Sequence, residues 1–177
     1  GLRADNLEVH CMVAAWEWPS YMEPEAREKG IKVKLSSYTR QVRNPVSSAK
    51  VNGNYVNSIV ALNEALSQGF DEALMLDAEG NVAEGSGENF FIVKDNVLIT
   101  PDLDASLDGI TRRTILELAK ELNINFEIKK LKVEDVREAD VAFFSGTAAE
   151  VVPINSLDNK QIGKGVRGPI TEQLQRT

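Results

Sequence analysis

The chain has 177 residues, 42% of them apolar and 27% charged, which suits one sizeable soluble domain with its own core. Acidic residues outnumber basic ones 27 to 20, which argues against a broad nucleic-acid surface, and no apolar run is long enough for a membrane span. One cysteine, Cys11, excludes an internal disulfide framework and fits a reducing, cytoplasmic setting; with one histidine beside it, a metal site is not expected.

In chain order, LEVHCMVAAW (7–16) alternates as a strand does, MEPEAREKG (22–30) reads as a short polar helix or loop, and IKVKLSSY (31–38) is a period-two strand. Residues 51–68 read as a helix whose apolar positions are Val56, Ile59, Val60, Leu62 and Leu66, with Gly69 as its stop. Short strands follow at DEALMLD, NVAEGS and NFFIVKDNVLITP, the last folding as a hairpin around Lys94, Asp95 and Asn96. ITRRTILELAKELNI is the strongest helix, with Ile115, Leu116, Leu118, Ala119 and Leu122 on its apolar side. FEIKKLKV is a strand, VEDVREA a short helix, DVAFFSG a buried strand running into TAAEVVPI, and GPITEQLQRT the start of a helix. The order lacks strict strand–helix alternation, so the expected architecture is α+β, barrel-like, in a single unit over 1–177. Both ends have the look of cuts through a longer protein.

Gly163, Gly165 and Gly168 have dinucleotide-binding spacing, but the chain ends nine residues after Gly168, and Pro169 suits the first position of a helix. They read as a turn before a helix. Lys50 is more informative, because it stands alone among small and amide residues in SSAKVNGNYVNS. Glu84 and Glu88 flank two glycines in AEGSGENFF, which can be a bulge or a place of close ligand approach. LDGITRRT opens a helix, either capped by Asp108 or offering its free N–H groups to an anion. FFSGTAAE ends a strand in a turn able to face an anion. A lysine able to form an imine, an acid near glycines and two anion-accepting turns are the parts that pyridoxal phosphate chemistry needs.

The runs E-G-S-G-E-N-F-F (84–91), L-I-T (98–100) and L-D-G-I-T-R (107–112) resemble the signature of the fold-type-IV pyridoxal-phosphate enzymes. With A-K-V-N-G-N-Y (49–55) and S-G-T-A-A-E (145–150), the chain is most similar to the branched-chain amino acid aminotransferases among them. The similarity runs from about residue 7 to the end. It implies the large domain of the D-amino acid aminotransferase-like fold, a barrel-like sheet flanked by helices, without the family's smaller N-terminal domain.

It further implies that Lys50 is the Schiff-base lysine and proton shuttle, and that Tyr55 bonds the phenolic oxygen of pyridoxal 5′-phosphate. Glu84 would hold the ring nitrogen protonated, while Ile110, Thr111 and Thr147 would bind the phosphate. Thr147 and Ala148 would receive the substrate carboxylate, and Trp18 would wall the side-chain pocket. Lys50 is expected to sit in surroundings of low polarity that favour its neutral amine. Arg3 and Arg40 match no phosphate motif and receive no role, and Asn52 stands where many members have a smaller residue.

The expected reaction is transamination of Leu, Ile and Val with 2-oxoglutarate, within branched-chain amino acid biosynthesis and a homo-oligomeric parent. The isolated domain is expected to hold cofactor weakly, with inactivity an open outcome. The alternatives are a D-amino acid aminotransferase, an aminodeoxychorismate lyase of the same fold, or a non-catalytic assembly fragment.

Overall fold

The computed structural model describes residues 3–17, 25–40 and 49–177. Its frame is one nine-stranded sheet in the order β3-β2-β1-β8-β7-β4-β5-β6, with β9 on β8. The strands are β1 (Ile31–Leu35), β2 (Glu72–Leu76), β3 (Val82–Gly85), β4 (Asn89–Lys94), β5 (Val97–Thr100), β6 (Phe126–Ile128), β7 (Val141–Gly146), β8 (Glu150–Leu157) and β9 (Lys160–Gln161). An extra pairing of β3 with β4, at Glu84 opposite Asn89, closes six of these strands into the expected barrel-like sheet.

Strand residues alternate between two cores, as a period of two requires. Phe90 and Phe144 point into one core with Ile31, Leu74, Ile92 and Ile154, their rings edge to face with centroids 5.7 Å apart. Their neighbours Phe91 and Phe143 stack at 5.0 Å on the other face. There they pack under α3 (Ile110–Glu121) and α5 (Pro169–Arg176) through Ile115, Leu116, Ala119, Ile170 and Leu174. The hairpin between β4 and β5 turns at Asp95 and Asn96, both with positive φ, as a tight two-residue turn demands. Gly163 also has positive φ, and Pro169 begins α5 from Gly168, so the glycine-spaced segment is a turn before a helix.

Two expectations fail. The segment 7–16 forms no strand; Leu7, Val9, Met12 and Val13 are exposed, because alternation alone supplies neither a pairing neighbour nor a core to cover. The helix expected over 51–68 is a short 3₁₀ turn (Asn52–Asn54) followed by α2 (Tyr55–Ser67), and its buried face is the small one. Ala61 and Ala65 pack with Ala73 and Met75 of β2, and Ser58 is buried on the same face, whereas Val56, Ile59 and Leu66 are exposed. Small residues let α2 lie close on the sheet, and that closeness sets which face turns inward. Elsewhere Ala26–Lys29 form the short helix α1, the expected strand FEIKKLKV shortens to β6, and VEDVREA forms α4 (Val133–Arg137).

Candidate functional site

Lys50 precedes α2 in a tight turn. The Val51 N–H donates to the Ala49 carbonyl at 3.0 Å, and the Asn54 side-chain amide donates to the same oxygen at 3.0 Å. This turn points Lys50 across the closure of the barrel, with Nζ 5.9 Å from the centre of the Tyr55 ring. The lysine borders two cavities. A recess of about 30 Å³ also contains Tyr55, Glu84, Glu88 and Arg40, and a larger cavity of about 350 Å³ contains Ile110, Thr111, Ser145 and Thr147. Lys50 itself is exposed, so the secluded, low-polarity setting expected around it is not formed by this chain.

Glu84 sits at the closing strand pair and is buried. Its Oε1 accepts from Arg40 Nε at 2.7 Å, and its Oε2 accepts from the Leu107 N–H at 2.9 Å and the Asn89 amide at 3.3 Å. Burial pushes the carboxyl above its ordinary range, and the Arg40 charge opposes that shift. A carboxylate offers roughly four acceptor directions, so one on Oε1 remains for a further donor facing the recess.

The opposite end of the site suits an anion. The α3 N-cap is Gly109, which has no side chain to bond the first free N–H groups of the helix. Asp108 does not cap α3; it pairs with Arg113 at 3.5 Å. Nearby, the buried Ser145 hydroxyl has no hydrogen-bond partner, an orphaned polar atom on the cavity wall. The set fits an elongated ligand with a protonated nitrogen at one end and an anionic group at the other, and an amine beside its middle.

The structure thus places Lys50, Tyr55 and Glu84 around the recess, and Lys50, Ile110, Thr111 and Thr147 around the larger cavity. Ala148 follows in the same exposed turn but is not among the residues forming that wall. Trp18 lies outside the described residues. Arg40, given no role from sequence, is the partner of Glu84. The available hint was its place just after a period-two strand, where one arginine follows Tyr38 and Thr39; it was too weak to name a partner.

A closed barrel-like sheet carrying a lysine between an acid and an uncapped helix start defines a class of pyridoxal-phosphate folds. The chain belongs to the amino-transferase class IV family, whose model matches residues 2–157. It is 55% identical over 177 residues to the branched-chain-amino-acid aminotransferase of Pseudomonas aeruginosa, a match covering 99% of this chain and 58% of that protein. It is 44% identical over 167 residues to the enzyme of the same name from Escherichia coli, covering 93% and 54%. The crystal structure of the Escherichia coli enzyme superposes with a TM-score of 0.89 over 92% of this chain and 54% of that one. The branched-chain amino acid aminotransferase from Thermobaculum terrenum, solved in its holo form with pyridoxal phosphate, does so with a TM-score of 0.79 at 41% identity, covering 82% and 48%. The chain therefore spans about half the length of these relatives.

Among the described residues no helix is long and apolar enough to cross a membrane, and no cluster of side chains is suited to a metal ion.

Proposed function

We propose that this chain is the cofactor-binding part of a pyridoxal-phosphate-dependent aminotransferase acting on branched-chain L-amino acids with 2-oxoglutarate. The observation that carries the reading is the placement of one lysine amine on both cavities, with Glu84 beyond it on one side and the α3 N-terminus on the other. The names of its relatives, at 44% and 55% identity, support the substrate class.

When bound, pyridoxal 5′-phosphate supplies an aldehyde for an amine and a ring that withdraws electrons from the substrate α-carbon. The chain's own groups do the rest. Glu84, whose carboxyl Arg40 draws down against the effect of burial, would accept from a protonated ring nitrogen and stabilise its charge. Tyr55 lines the same recess and would be the donor for the phenolic oxygen. The free N–H groups of Ile110 and Thr111, with the Thr147 hydroxyl, would hold the phosphate. Lys50 Nζ, as a free neutral amine, would take up the substrate α-proton and hold it for return. Thr147 and Ala148 receive the substrate carboxylate at the turn after β7.

The parent protein is read as a homo-oligomer, since apolar Val56, Ile59 and Leu66 lie uncovered on α2. A cytoplasmic setting is part of the same proposal, with Cys11 exposed and unable to form a disulfide within the chain. The test is a half-reaction in which L-leucine is added to the chain loaded with pyridoxal phosphate. Loss of the visible absorption band with release of the 2-oxo acid supports the reading. Response to D-alanine alone, or release of pyruvate from aminodeoxychorismate, would replace it with another activity of the same fold.

A further inference from the structure

The first turn of α3 carries the wrong charge for an unoccupied helix start. A helix N-terminus is the positive end of the dipole, which acids stabilise and cations oppose. Here the turn holds Arg112 and Arg113 and no acidic residue. Arg112 is 3% exposed and donates to the Pro101 carbonyl at 3.0 Å, a structural role. Arg113 has no such anchor. Its side chain is 61% exposed, and among the described residues it pairs with Asp108 alone. That contact, 3.5 Å from Nε to Oδ1, is longer than the roughly 2.7–3.2 Å of a sound hydrogen bond. Helix side chains lean toward the N-terminus, so Arg113 reaches back past Gly109 and lines the cavity of about 350 Å³ beside Ile110 and Thr111.

A second unmet group lies across that cavity. Ser145 is 1% exposed, and its hydroxyl has no hydrogen-bond partner. It follows Phe143 by two residues on β7, so it faces α3 as Phe143 does. In the ladder it stands opposite Asn89, whose amide reaches the Leu107 carbonyl just before the helix. The hydroxyl thus meets the start of α3 from the sheet side, on the wall of the same cavity. The charged residues of that wall are Lys50, Arg113 and Asp108, two cations against one anion, in a chain of net charge -7. Local positive charge on an acidic chain marks a place for an anion.

We propose that Arg113 and Ser145 are two further contacts for a phosphate dianion at the start of α3. Arg113 exchanges Asp108 for the phosphate, which its planar fork can hold through two N–H groups, and the Ser145 hydroxyl donates from the opposite side. That the phosphate belongs to pyridoxal phosphate rests on the proposed function; the anion site does not.

Inorganic phosphate is the probe for the cofactor-free full chain, since it brings the charge without the ring. Its titration should shift the amide NMR signals of Ile110 and Thr111. Arg113→Gln should weaken binding about tenfold, and Arg113→Lys by less, because the charge stays while the fork is lost. Asp108→Asn should tighten binding by freeing Arg113, and that gain should vanish when Arg113→Gln is added. Ser145→Ala should weaken binding about threefold or more, with the urea stability of the phosphate-free chain unchanged or higher, since the hydroxyl has no partner to lose. Phosphate that leaves the Ile110 and Thr111 signals unmoved overturns the site. Affinity within about twofold of the unaltered chain in Arg113→Gln overturns the role of Arg113. Lower stability with unchanged phosphate affinity in Ser145→Ala makes that hydroxyl structural and overturns its role. Pyridoxal phosphate should lose affinity in the same variants by similar factors, and pyridoxal without its phosphate should not. If inorganic phosphate binds as described but pyridoxal phosphate gives no visible band, the proposed function fails and the anion site stands.

Discussion

Replacing Arg40 by methionine tests whether the acid that faces the recess is held there as an anion. The pair is 2.7 Å apart, and the side chains of Arg40 and Glu84 are only 12% and 7% exposed. An exposed ion pair at this distance contributes about 0–1 kcal/mol, whereas removing one partner of a buried pair costs about 3–5 kcal/mol because the other charge is left unpaired. Low exposure places Arg40 in the second regime. Arg40 also lowers a carboxyl that burial raises, so without it the Glu84 carboxyl rises further. A carboxyl raised in the folded state gives its stability contribution at acid pH and loses it as pH climbs through the folded value. The deficit of Arg40→Met should therefore be small in acid and approach about 3–5 kcal/mol in alkali, as Glu84 is forced to ionise alone. Urea denaturation of both proteins across that range measures the difference. A deficit under about 1 kcal/mol at every pH would mean that the pair behaves as a surface pair and that Arg40 does not fix Glu84.

Three further outcomes follow from the same structure. Gly109→Ala would place a Cβ on the Asn89 side-chain oxygen and displace the amide that bonds Glu84 and the Leu107 carbonyl; urea denaturation should show a loss of about 1–3 kcal/mol. On α2, Ala61→Leu should overpack the contact with the sheet and cost about 1–3 kcal/mol, while Ile59→Ser on the exposed face should change stability by less than about 0.5 kcal/mol. The raised Glu88 carboxyl makes stability fall as pH rises from about 4.5 to about 8, at up to about 1.4 kcal/mol per pH unit for one proton. Glu88→Gln should flatten that slope in a series of denaturation curves.

Most of the framework was legible because its signals are local. The alternation in NFFIVKDNVLIT, with two turn residues tolerant of positive φ, specifies a hairpin without reference to the rest of the chain. The 3.6-residue stripe of ITRRTILELAKEL names Ile115, Leu116 and Ala119 as buried, and they are. Segment 7–16 and α2 failed for the same reason in two forms. Alternation cannot say whether a neighbouring strand exists, and an apolar helix stripe cannot say that a face of Ser and Ala will pack closer than one of Val and Ile.

Within the site, Lys50, Glu84 and the start of α3 were readable as separate oddities, and the barrel closure at Glu84 and Asn89 brings them together. Arg40 was not readable. Its contact with Glu84 joins segments distant in sequence, and it belongs to no short motif.

The measurement closest to the central claim is borohydride reduction of the chain incubated with pyridoxal phosphate, followed by peptide mapping. The account predicts a visible absorption band before reduction and a covalent label on Lys50 afterwards, both absent in Lys50→Ala. Label on any other lysine, or an unchanged band in Lys50→Ala, would contradict it.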